Sequence, residues 1–202
     1  MTTPTLAMTK LDAVNQMLHS IGQSPVNTLV GTLPKDVNQA VEALDHVVRE
    51  LCSSGWSFNS RKEVPLSPSS GKIDMPATAA FIDPSYGENY VPQWDTTGTP
   101  GLRLFNLDDN TFDQFGTEDV KVDIVYLFEF EQVPQHARAY MYTKAARKFQ
   151  AGLIGSKILY EYTADVEQEA YANFRRTEKR QKDYNINRYS AGVHRRRNPS
   201  RY

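Results

Sequence analysis

The 202-residue chain has one cysteine, Cys52, so no disulfide can close within it and packing must hold the fold. Cys52 follows the apolar stripe of a predicted helix, where a thiol serves as a small buried hydrophobe. No positioned histidine or electropositive pocket marks it as a nucleophile. No apolar run approaches the ~20 residues of a membrane-spanning helix. The start, MTTPTLAMTK, lacks the apolar stretch of a signal peptide, so folding in a reducing cytoplasm is expected. The histidines, His19, His46, His136 and His194, form no H-x-x-x-H pair that would suggest zinc. Phosphate loops of the type G-x-x-x-x-G-K-S/T or G-x-G-x-x-G are missing, as is G-x-S-x-G. Asp108, Asp109, Asn110 and Asp113 miss the spacing of a calcium loop and read as a hairpin turn. No metal, cofactor or catalytic residue is therefore expected.

What is present is ordinary in bulk and uneven in distribution. Hydrophobic residues make up 40% and charged ones 23%, as in a globular protein with a proper core. Eleven tyrosines are a mild excess, suited either to interfaces or to a β-rich surface. The formal net charge of -1 hides a polarity. From Arg175 to Tyr202 ten Lys/Arg face only Glu178 and Asp183, a net of +8; the other 174 residues carry thirteen basic and twenty-two acidic groups, a net of −9. An acidic body with a basic tail points to an arm that meets nucleic acid or an acidic protein surface.

Periodicity supplies the elements. Leu11, Val14, Met17, Leu18 and Ile21 form one helical stripe, closed by Gly22 at a left-handed C-cap position. Val37, Ala40, Val41, Leu44, Val47, Val48 and Leu51 form a second, with Asp36 placed as N-cap and Gly55 after its end. Residues 60–100 are rich in Pro, Ser and Gly and read as short strands and turns. Leu102, Leu104 and Asn106 alternate with Arg103 and Phe105, a turn follows at Asp108–Asn110, and a return strand is expected after it. The clearest strand places Val120, Val122, Ile124, Tyr126, Phe128 and Phe130 on one face. Val125 and Leu127 make its other face partly apolar, so part of it is covered on both sides. Pro134 opens a helix carrying Ala137, Tyr140, Met141, Ala145 and Phe149. A last helix of about 25–28 residues, roughly 40 Å long, runs from near Lys157 to near Tyr184 with Ile158, Leu159, Tyr162, Val166, Ala170 and Phe174 as its apolar positions. Beyond Phe174 it is almost wholly polar, so its last turns should project from the body or pack on another subunit. Residues 185–202 read as an arm that is unfolded until something orders it.

Four ordered motifs resemble the tail tubular protein A family, the head-to-tail adaptors of short-tailed bacteriophages. They are A-V-N-x-x-L-x-S-I-G at Ala13–Gly22, P-V-x-T-L at Pro25–Leu29, D-V at Asp36–Val37 and S-x-G-W-x-F-N at Ser53–Asn59. Val133–Pro134, Tyr140, Tyr142 and K-A-A-R-K-F at Lys144–Phe149 extend the resemblance, whereas the β region is similar in layout only and the C-terminal arm departs most. The resemblance implies a structural virion protein and no enzyme. It implies a dodecameric ring that joins the portal to the tail nozzle (tail tubular protein B), helps dock tail fibres and lines a channel for transiting DNA. Such a protein is assembled in the host cytoplasm and resides in the virion tail, with no membrane contact.

The expected fold is α+β: a helical bundle from residues 9–55 and 134–184, an inserted antiparallel β module at 56–131, and a flexible basic arm at 185–202. Trp56 and Phe58 are expected at the junction of bundle and module. Partner binding, to portal, neighbouring subunit or DNA, is assigned on charge to Arg188, Arg195, Arg196, Arg197 and Arg201. Two alternatives stay open. One is a DNA-binding module that uses the arm, with Tyr184, Tyr189 and Tyr202 stacking on bases. The other is a tail-associated polysaccharide hydrolase, for which Glu129 and Glu131 would share a strand face about 6–7 Å apart.

Overall fold

A computed structural model describes residues 7–84, 89–113, 115–154 and 157–181. The first helix, α1 (Lys10–His19), starts at a reciprocal cap: Asp12 N–H donates to Thr9 Oγ1 at 3.1 Å and Thr9 N–H to Asp12 Oδ2 at 3.0 Å. It ends as its glycine demands. With Gly22 at φ +78°, Gln23 N–H reaches Leu18 O and Gly22 N–H reaches His19 O, both at 3.0 Å, which satisfies the last carbonyls. Ala13, Val14, Met17 and Leu18 are buried, while Leu11 and Ile21 flank the stripe half-buried.

The second helix, α2 (Lys35–Ser53), corrects one expectation. Pro34 occupies the N-cap position with no side-chain cap, and Asp36 lies inside the first turn. There its carboxylate can favour the helix dipole but cannot close the end, because the helix begins two residues earlier than an Asp36 cap requires. Val37, Ala40, Leu44, Val47, Val48, Leu51 and Cys52 are its buried face.

Five strands follow: β1 (Ser60–Leu66), β2 (Ala79–Pro84), β3 (Tyr90–Asp95), β4 (Gly101–Asn106) and β5 (Val120–Tyr126). A three-stranded antiparallel sheet has the order β1-β5-β2, and β3-β4 form a separate antiparallel pair. Ile73, Ile82, Leu104, Phe115, Val122 and Ile124 make the buried core between them. On the other side of β5, Val125 packs against Gly55 at the end of α2, where an added Cβ would come within 3.1 Å of its Cγ2. The strand is thus covered on both faces at that end.

Two strand expectations need correction. Among the described residues no return strand forms after Asp108–Asn110: the Asn106–Thr111 bridge is made there, and β4 pairs backwards with β3. The Asn106 side chain explains the tight turn, accepting from Asp108 N–H at 2.9 Å and donating to Asp109 Oδ2 at 2.8 Å. The following chain instead delivers Phe112 against Phe105 and Phe115 against Tyr90. The long strand, for its part, stops at Tyr126 and not at Phe130. Phe130 opens a 3-10 turn (Phe130–Gln132), and both Phe128 and Phe130 leave the sheet to pack in the helical core.

The last helices are α3 (Gln135–Ile154) and α4 (Lys157–Gln181). Pro134 sits just ahead of α3 and its carbonyl accepts from Ala137 and Arg138 N–H; Gly152 is passed without ending the helix. The bundle core unites the buried faces of α1 and α2 with Phe130, Val133, Ala137, Tyr140, Met141, Ala145, Phe149 and Phe174. Burial first, then nearby carboxylates, push the Tyr140 hydroxyl up to about 12.

The end of α4 does not project freely. Four residues beyond Phe174, one turn of helix, Glu178 is 3% exposed and seated against the bundle. The polar sequence concealed this because the anchoring residue is a carboxylate with donors waiting for it.

Candidate interaction surfaces

Arg188, Arg195, Arg196, Arg197 and Arg201, with Tyr184, Tyr189 and Tyr202, lie outside the described residues. The point from which that segment departs is well defined. Glu178 Oε2 accepts from Ser57 N–H at 3.0 Å and from Ser57 Oγ at 2.7 Å, while Oε1 lies 3.0 Å from His136 Nε2. Burial pushes the Glu178 carboxyl up, but the Ser57 and His136 contacts outweigh it and hold the group below its usual range. Phe174 fills the space beneath, edge-on to Trp56 at 4.6 Å and stacked on Tyr140 at 5.5 Å and His136 at 5.8 Å. Arg175 lies over the rings of Trp56 and Tyr171. The basic segment therefore leaves the body beside Ser57, where the bundle meets β1.

Asn59 makes that junction rigid. Its side chain is fully buried; Nδ2 donates to Cys52 O and Tyr126 O, both at 2.6 Å, and Oδ1 accepts from Trp56 N–H at 2.8 Å. One amide thus ties the end of α2, the GWSFN turn and the end of β5. Trp56 adds Nε1–H to Leu51 O at 3.0 Å, and both Trp56 and Phe58 pack on the bundle core. Sequence reasoning placed the two aromatics here but gave Asn59 no role. The signal was a polar residue closing an aromatic motif, where a turn with several orphan carbonyls needs a two-handed side chain. A similar clamp joins the N-terminal segment to the 3-10 turn: the buried Arg138 donates to Val133 O, Met8 O and Glu131 O.

The β3–β4 ribbon is held by charge. Asp95 is fully buried; Oδ2 meets Lys72 Nζ at 2.9 Å and Arg103 Nη1 at 2.7 Å, and Oδ1 accepts from Thr97 N–H and Oγ1. The Thr97 contacts and the two cations hold its carboxyl well below the usual carboxylate range. On the far side of the ribbon the cross-strand pair Trp94 and Leu102 is left 63% and 37% exposed. Val30, Phe81 and Leu107 are further large apolar side chains on the surface.

The charge polarity resolves by region. Residues 56–131 contain thirteen acidic and five basic residues, a net of −8; residues 1–55 with 132–174 contain nine acidic and eight basic, a net of −1. Almost all the negative excess of the body therefore sits in the β region. The carboxylates once weighed for calcium are spoken for: Asp108 accepts from Asn89, Asp109 from Asn106, and Asp113 lies 3.2 Å from Lys72 Nζ. Glu129 and Glu131 do not share a strand face, because β5 has already ended. Glu131 Oε1 instead accepts Lys10 N–H at the start of α1, at 3.0 Å, so the geometry on which the hydrolase reading rested is not formed. No described helix is long and apolar enough to cross a membrane.

Residues 11–184 match the family model described as tail tubular protein. No curated protein matches the chain. The match spans the helices, the β region and the departure point of the basic segment, and the chain belongs to the tail tubular protein family. Its role is accordingly structural, in a bacteriophage tail.

Proposed function

We propose that this member of the tail tubular protein family is the head-to-tail adaptor of a short-tailed phage. In this reading a dodecameric ring of the protein sits between the portal and the nozzle, helps dock tail fibres and surrounds the passing DNA. The observation that carries the reading is a family match over residues 11–184, nearly the whole span of the described helices and strands. The protein acts by shape and contact rather than by turnover, and it is assembled in the host cytoplasm before it resides in the virion tail. The bundle of residues 9–55 and 134–184 and the β module of 56–131 act as separate working surfaces, a division supported by their separate buried cores.

Charge divides the labour further. The acidic β region repels DNA and suits a channel wall along which DNA slides. The arm residues Arg188, Arg195, Arg196, Arg197 and Arg201 fork onto carboxylates of the portal or a neighbouring subunit. Residues 185–202 follow the matched span, so this role rests on charge and not on the family. Native mass spectrometry of the protein co-expressed with its phage's portal protein tests the reading. A stable complex with equal copies of each supports it, and a free chain that ignores the portal overturns it. Should the free chain instead bind duplex DNA with a steep dependence on salt, the arm is a nucleic-acid contact.

A further inference from the structure

The outward face of the β1-β5-β2 sheet carries charge that nothing described neutralises. Asp83 on β2 and Asp123 on β5 are direct antiparallel partners, and like charges in that position repel. The irregularity in β1 between Arg61 and Val64 brings the Glu63 backbone to Asp123, its N–H donating to Asp123 Oδ1 at 2.9 Å, and the Glu63 side chain beside it is exposed. Among the described residues none of these three carboxylates has an ion-pair partner. One row nearer the bundle, Phe81 pairs with Val125 on the same face and stays 57% exposed. Lys121, two residues along β5, is a cation on that side, and the exposed Lys62 precedes Glu63 in the irregularity.

A cationic segment begins next to this face. The last described residue of α4, Gln181, has Oε1 3.5 Å from Ser57 Oγ. Ser57 precedes Glu63 by six residues, at most about 20 Å of extended chain. Residues 182–202 carry Lys182, Arg188, Arg195, Arg196, Arg197 and Arg201 against the single Asp183, interleaved with Tyr184, Tyr189 and Tyr202. Their extended reach of about 70 Å is several times what is needed.

We propose that in the free chain this sheet face takes the chain's own C-terminal segment, residues 182–202. Arginines fork onto Glu63, Asp83 and Asp123, and an arginine or tyrosine covers Phe81. The clasp goes beyond the adaptor reading and does not depend on it. It has a consequence for any partner of the arm: that partner must first compete with the face.

Disulfide trapping in the full chain tests the clasp. Lys121→Cys and Gly192→Cys place thiols on the face and in the segment, and the fully buried Cys52 stays out of reach. At micromolar protein and low salt the intramolecular bond should form about tenfold faster than in the same pair bearing Asp83→Asn and Asp123→Asn, as a raised local concentration requires. High salt should remove the difference. Reversing both partners, with Asp83→Lys and Asp123→Lys against Arg195→Glu, Arg196→Glu and Arg197→Glu, should restore the fast rate. Equal rates in all variants overturn the proposal. Disulfides that form only between copies, rising with concentration, overturn it in favour of a second copy.

Discussion

The helical bundle and the β region of this chain are held by different forces. In the bundle, apolar stripes from four helices, with Phe130 and Val133, close around one continuous core. Each fully buried Val, Leu, Phe or Met there contributes about 1.5–3 kcal/mol. In the β region the apolar core is small, and a fully buried carboxylate with two cations and a threonine braces the ribbon. Such a network fixes geometry more than it adds stability. The bundle thus holds the larger apolar core, and the β region carries most of the negative charge. Asn59 and Glu178 are the polar pins between them.

The largest effect is expected at Phe174. Phe174→Ala removes the ring on which Trp56, His136 and Tyr140 converge, and should cost about 3–5 kcal/mol in urea unfolding followed by helical circular dichroism. Leu104→Ala in the β core should cost about 2–4 kcal/mol, but its loss should register first in amide exchange of β3, β4 and β5 while the helical signal persists. A simultaneous loss of both signals would show one cooperative unit and remove the distinction. Asn59→Ala removes the amide bonded to Cys52 O, Tyr126 O and Trp56 N–H and should cost about 1–3 kcal/mol. It should also uncouple the two regions, seen as a wider gap between the unfolding midpoints of the β region and the helices than in the parent.

The smallest effect is a pH dependence, carried in the bundle by Glu50 and Glu178 and in the β region by Asp95, whose carboxyl is also depressed. Lys144 and Lys148 hold the Glu50 carboxyl down at about 2 against an ordinary 4.5, and Glu178 is likewise depressed. A carboxyl with a lowered folded pKa stabilises fully above its unfolded value and loses that contribution as pH falls through the folded one. Stability should therefore decline as pH drops from about 4.5 toward 2. Glu178→Gln should flatten part of that decline, as measured by urea midpoints across the range.

The helices were legible because burial on one side of a 3.6-residue repeat leaves its imprint at every turn. Leu44 and Met17 sit where the stripe put them. Asp36 lies two positions past the N-cap because Pro34 starts the helix without help from a side chain. In the β region the alternation of Val122 and Ile124 was visible, but the end of β5 was not. Phe128 and Phe130 keep the strand's period and yet turn to the other core, and period alone does not say which core a side chain enters. The arm's arginines were legible as charge, and their place lies outside the described residues.

By itself, then, the sequence determined the helical stripes, their capping glycine at Gly22, the α+β class and the basic tail, since each is written in neighbouring residues. Only the tertiary structure decided that Glu178 is an anchor, that Asp95 is buried and that Asp83 faces Asp123. Those facts depend on partners distant in the chain, and a carboxylate reads as a surface residue until the donors that bury it are brought to its side.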